Sequence, residues 1–163
     1  QIKNTPYLFN QIFCCYKFNL YSRMRWCGTR MIKKKNLVSP QWLRDIKDRN
    51  YPFWRLDTYF SKKKYNNLKF IENGGWHFTC IKKPRDIYNK LLTFAHHQDF
   101  ENSKITYSQL EKKIKEKKIL YDHSKDKKNY DKWFSEKTLK KIDLDYLPKI
   151  ISENKEAYLE WID

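Results

Sequence analysis

Glycine is nearly missing from this chain, with three among 163 residues, and two of the three stand side by side at Gly74 and Gly75. That pair therefore demands a specific explanation, because adjacent glycines permit positive φ and close approach of the backbone to another group. Long apolar runs are also missing. No stretch of about 20 apolar residues occurs, so no segment reads as a membrane-spanning helix. The four cysteines, Cys14, Cys15, Cys27 and Cys80, form no Cys-x-x-Cys pair, which argues against a zinc site and leaves ordinary core thiols as the expectation. Such thiols suit a reducing setting better than an oxidising one. No signal-peptide pattern, internal repeat or domain-sized linker is present, and the expected location is cytoplasmic or membrane-peripheral. The chain opens on Gln1 rather than Met, which raises the expectation of a processed chain or the tail of a longer one.

Positive charge is abundant. The formal net charge is +16, a balance that ordinarily points to nucleic acid or an anionic membrane. The kind of cation argues otherwise, because lysine far outnumbers arginine and its runs, Lys33-Lys34-Lys35 and Lys62-Lys63-Lys64, sit in an Asn-, Ile- and Tyr-rich background. Base readout and bidentate phosphate binding favour arginine. The lysines read as solvated surface, with no specific nucleic acid expected and with room left for a nucleotide diphosphate or peripheral contact with anionic lipid heads.

Short apolar runs alternate with amphipathic stretches, the pattern of an α/β domain. Tyr7 to Tyr21 and Trp26 to Ile32 read as strands or buried irregular structure. Ser39-Pro40 is a cap with proline at the first helical position, opening a short helix to about Lys47. Pro84 plays the same part for a helix from Arg85 to His97, with Ile87, Leu91, Leu92 and Ala95 facing the core. Ser108 and Glu111 suggest a capping box, Asp122 to Asp131 a surface loop, Asp143-Leu144-Asp145 a helix entry, and Lys149 to Ile162 a last helix. Trp26 and Trp42 are expected in the core.

The glycine pair lies in Asn73-Gly74-Gly75-Trp76-His77-Phe78. One reading is a hairpin, with Leu68 to Glu72 as one strand, Asn73-Gly74 as the turn and Trp76 to Ile81 as the returning partner. Another is a ligand loop, because an indole platform and a titratable imidazole follow the glycines and suit a stacked, hydrogen-bonding sugar. The two readings are compatible.

The succession Tyr16-Lys17-Phe18-Asn19-Leu20-Tyr21, Trp26-Cys27-Gly28-Thr29-Arg30, Ser39-Pro40-Gln41-Trp42-Leu43-Arg44 and Asn73-Gly74-Gly75-Trp76-His77-Phe78 resembles the C-terminal half of glycosyltransferase family 17. The likeness continues through Lys90-Leu91 to Ala95, Asp99-Phe100 and Asp145-Tyr146-Leu147-Pro148. That family includes the enzyme that adds the bisecting N-acetylglucosamine to the core mannose of N-glycans. The resemblance implies residues 1–163 as the C-terminal part of a single GT-A-like nucleotide-sugar transferase domain, a mixed sheet with flanking helices. It also implies a UDP-sugar donor, a glycan acceptor and inverting transfer of N-acetylglucosamine. A divalent metal, Mn or Mg, would have its main ligands in an N-terminal half, since no Asp-x-Asp loop stands in the matching context here.

Inverting transfer needs a carboxylate that takes a proton from the acceptor hydroxyl. Asp99, in a cluster with His96 and His97, is the first candidate and Glu72 the second. Asn73, Gly74, Gly75, Trp76 and His77 are the candidate substrate contacts, with His77 also a candidate metal ligand. Arg30 and Arg44 are candidates for phosphate or a buried carboxylate. Two rival readings remain: a basic non-catalytic module for nucleic acid or another polyanion, supported by charge alone, and a metal-dependent hydrolase built on His77, His96, His97 and Asp99, whose spacing matches no metal motif.

Overall fold

The structure is a computed structural model that describes residues 5–94, 97–123 and 130–163. It is a mixed α/β chain that divides into two compact units, residues 1–12 with 25–77 and residues 13–24 with 78–163. Two long strands, β1 (Tyr7–Cys15) and β2 (Leu20–Met31), run through both units. Three short strands complete a mixed sheet: β3 (Lys69–Ile71), β4 (Trp76–Thr79) and β5 (Lys140–Lys141). The order is β3-β1-β2-β5, with β4 also on β1. β3 is parallel to β1, with Tyr7 opposite Lys69 and Phe9 opposite Ile71, and β5 is antiparallel to β2.

In the first unit, Leu8, Cys27, Ile46 and Leu68 form the buried core, closed by Trp42, Leu43, Tyr65 and Phe70. Helix α1 (Pro40–Asp45) starts where the Ser39-Pro40 signal places it, with the Ser39 hydroxyl accepting from the Trp42 amide at 3.0 Å. Trp42 is partly buried against this core, and its indole N–H donates to the Lys62 carbonyl at 2.7 Å. A single turn, α2 (Asp57–Phe60), follows.

The second unit is mainly helical. Helix α3 (Pro84–Thr93) starts at the expected proline and buries Ile87 and Leu91. Leu92 is exposed, and Ala95 lies outside the described residues. The expected single helix to His97 is instead two, because Phe94 leaves the helix with extended backbone (φ −80°, ψ 167°) and α4 (His97–Ser103) begins anew. Helix α5 (Tyr107–Lys115) does have a capping box, but Thr106 and Gln109 form it, not Ser108 and Glu111. Threonine two residues earlier lets the helix begin there and leaves Ser108 inside its first turn. Asp143 stands before a 3₁₀ turn at Leu144–Tyr146 without a side-chain hydrogen bond to it. The expected last helix is α6 (Lys149–Ser152) followed by a 3₁₀ helix at Lys155–Trp161, broken at Asn154, whose side-chain amide donates to the Ile150 carbonyl at 3.0 Å.

The expected hairpin does not form. β3 and β4 do not pair with each other; both lie along the same edge of β1. Gly74 donates to the Asn10 carbonyl at 2.8 Å, the Gly75 carbonyl accepts from Ile12 at 2.9 Å, and that of Thr79 accepts from Tyr16 at 3.3 Å, so the chain advances in step with β1. Asn73 (φ 52°) and Gly75 (φ 120°) take up the surplus residues between the two short strands. A Cβ on Gly74 would meet Phe9 Cβ at 2.7 Å, Phe9 Cδ1 at 2.9 Å and the Ile71 carbonyl oxygen at 3.1 Å. The glycine pair thus allows close approach of backbone to β1. Gly74→Ala is expected to lower stability by about 1–3 kcal/mol through overpacking against a strand that cannot retreat, and an unchanged urea midpoint would refute this account.

Candidate functional site

The residues singled out in the sequence fall into both units. In the first, Glu72 to His77 form a continuous strip on the β1 edge. The exposed Glu72 accepts from the Asn10 side-chain amide at 2.6 Å and lies 4.0 Å from Arg25. Trp76 is exposed, and His77 stacks on Trp26 with ring centroids 4.7 Å apart and planes inclined by 32°. Arg30 is committed locally: its Nη1 donates to the carbonyls of Leu43 (2.9 Å), Arg44 and Ile46 (2.6 Å) at the end of α1. Burial lowers its pKa, with Asp48 opposing. The orphan carbonyls of a helix end explain why an arginine is needed there without any phosphate. Arg44 is exposed on α1.

Asp99 belongs to the second unit, in the first turn of α4. His97 precedes it, its Nδ1 3.2 Å from the Phe94 carbonyl, and His96 lies outside the described residues. Asp99 opens onto a cavity of about 530 Å³. Both carboxylate oxygens meet Lys132 Nζ, at 2.9 and 2.6 Å, and the Lys132 side chain is 1% exposed. Burial acts to lower the Lys132 pKa, but the hydrogen bond to Asp99 and the nearby Tyr121 raise it overall. The ammonium thus stays charged in the cavity wall, 5.2 Å from the Tyr121 ring.

Aromatic groups make the rest of that wall. Trp133 is 2% exposed, with Phe100 at 5.2 Å and Tyr121 at 5.0 Å between ring centroids. Its indole N–H has no acceptor among the described residues. His123 lies at the edge, 4.5 Å from Tyr121, and is exposed. Sequence reasoning missed Lys132, Trp133 and His123, because the polar run from Asp122 reads as a surface loop. Residues 124–129 of that run lie outside the described residues, whereas Asp122 is buried, 2.8 Å from Lys137. The aromatic pair Tyr121 and Trp133 bracketing the run was the available signal.

Cys80 also lines the cavity, held at φ 53°. All four cysteines are free thiols and buried, as expected. Their chemistry differs. A hydrogen bond with the Cys15 thiol, aided by Lys90, Thr79 and Lys82 and opposed by burial, brings Cys80 down to about 6. Burial pushes Cys14 up to about 12 and raises Cys15 well above its usual value. Because the thiolate is the nucleophile, iodoacetamide at neutral pH is expected to label Cys80 first, its rate levelling off above about pH 6. Peptide mapping by mass spectrometry checks this, and equal labelling of Cys14 would contradict it.

No family model matches the chain, and no curated protein or solved structure matches it. The site must therefore be read from its own chemistry. Among the described residues no three of His, Cys, Asp or Glu gather to hold a metal ion. No described helix is long and apolar enough to cross a membrane.

Proposed function

We propose that this chain supplies the acceptor side of an inverting glycosyltransferase, with the acceptor sugar in the cavity of the second unit and Asp99 as the base. The carrying observation is that Asp99, singled out from sequence, lines an aromatic-walled cavity of about 530 Å³. That volume falls in the range of roughly 300–1,000 Å³ usual for small-ligand sites. The resemblance to family 17 supplies the reaction class, and the donor is a UDP-sugar, N-acetylglucosamine by that resemblance.

The chemistry follows from the groups present. A pyranose lays its C–H face on an aromatic ring, here Tyr121 or Phe94, and presents hydroxyls at its edge. Lys132 fixes the Asp99 carboxylate by ion pairing, so one oxygen accepts a hydrogen bond from the acceptor hydroxyl. As the acceptor hydroxyl oxygen attacks the anomeric carbon of the donor, its proton passes to Asp99 and the nucleoside diphosphate leaves with the bonding electron pair. Glu72 remains the alternative base, next to the Trp76 and His77 strip.

Saturation-transfer NMR tests the binding step directly on this chain. N-acetylglucosamine and methyl mannoside at millimolar concentration are expected to receive saturation, and Phe94→Ala to reduce it. Absence of transfer to either sugar would remove the cavity from the proposal.

A further inference from the structure

The first unit carries a second feature that sugar transfer does not use. Between Phe53 and Phe60 five large apolar side chains stand in solvent: Phe53 (69% exposed), Trp54 (68%), Leu56 (74%), Tyr59 (66%) and Phe60 (90%). Within this knob three of them are linked. Phe53 and Trp54 meet edge to face at 5.1 Å, and the Tyr59 hydroxyl donates to the Phe53 carbonyl at 3.2 Å. Scattered exposed apolar residues need no explanation, but a contiguous cluster marks a contact surface.

What it contacts is indicated by charge. Residues 49–64 hold five cations, Arg49, Arg55, Lys62, Lys63 and Lys64, against a single carboxylate, Asp57, and Lys63 is paired at 2.6 Å with Asp45 just outside that stretch. Asp57 is paired with Arg55 at 2.8 Å and Lys64 at 2.5 Å, which holds its carboxyl down at about 2. An apolar aromatic tip rimmed by lysine suits an anionic lipid surface, where Trp and Tyr settle at headgroup level and cations meet lipid phosphates. Protein interfaces instead are depleted in lysine, and nucleic-acid readout does not call for Leu56 and Phe60.

We propose that the Phe53 to Phe60 knob docks this chain on an anionic membrane surface, its aromatic tip entering the headgroup region and the net positive charge of residues 49–64 drawing it to the lipid phosphates. This is independent of the sugar-transfer reading. Flotation of the chain with phosphatidylcholine vesicles, and with the same vesicles containing one third phosphatidylglycerol, tests it. Binding is expected to the anionic vesicles only. Replacing Trp54 and Phe60 together by Ser should weaken it about tenfold or more, since each ring is exposed without lipid. Replacing the three lysines by Gln should weaken it roughly 100-fold. Trp54, Phe60, Lys62 and Lys63 are exposed and Lys64 is half-buried in its pair with Asp57, so circular dichroism checks that both variants fold. No binding to anionic vesicles, equal binding to neutral ones, or binding indifferent to the Trp54 and Phe60 change would each overturn the proposal. So would sedimentation showing that the Ser variant breaks a dimer, which assigns the knob to a second copy of the chain.

Discussion

Asp99→Asn is expected to lower turnover by about 100-fold or more in a transfer-competent protein that carries this chain, with donor affinity preserved. The amide keeps the size of the carboxylate and removes its capacity to accept a proton. The same change has a second consequence, because Lys132 then faces a neutral group from a wall position where its side chain is 1% exposed. Losing a hydrogen bond to a charged partner costs about 1.5–3 kcal/mol. Thermal unfolding must therefore be measured beside rate. Unfolding of Lys132→Met, alone and combined with Asp99→Asn, gives the coupling energy of the pair through a double-mutant cycle, and turnover of the double variant should stay low. Full activity of Asp99→Asn would dismiss Asp99 as the base and turn attention to Glu72→Gln.

Trp133→Ala is expected to destabilise the chain by about 3–5 kcal/mol, the range for removing a buried aromatic ring. Trp133 packs against Phe100 and Tyr121 in the second unit, and all its large apolar surface is hidden. Trp54→Ala serves as the contrast. With 68% of that residue in solvent, its removal should change stability by no more than roughly 0.5 kcal/mol. Urea unfolding of the two variants measures the difference. Similar losses for both would contradict the assignment of Trp133 to the core and of Trp54 to the surface.

Some of the site was legible before the structure, and the parts that were not share a cause. Asp99 was singled out by the chemistry of sugar transfer, and it does open on a cavity. Lys132 was hidden because one lysine among many reads as solvated, and nothing local distinguishes the one whose ammonium meets a carboxylate 33 positions away. Cys80 read as an ordinary core thiol, since its lowered pKa depends on Cys15 and Lys90, brought beside it by folding. Arg30 read as an anion contact because the α1 carbonyls it caps belong to residues 13 to 16 positions later.

By itself the sequence determined features that depend on a few neighbouring residues. The Ser39-Pro40 and Lys83-Pro84 helix starts follow from the fixed φ of proline and its missing N–H. The strand character of Tyr7–Cys15 and most of Leu20–Met31 follows from their aromatic and branched composition, and the lack of a long apolar helix from run length. Tertiary structure alone decided the rest. Asn73-Gly74 carries a strong hairpin signal, yet the edge of β1 offers Asn10, Ile12 and Tyr16 as backbone partners over a longer stretch. Pairing with β1 satisfies more backbone groups and lets Gly74 lie against Phe9. The cavity likewise assembles Cys80, Asp99, Tyr121 and Lys132 from segments far apart in the chain. Local sterics act within a turn or two, whereas burial and pairing compare partners across the whole fold.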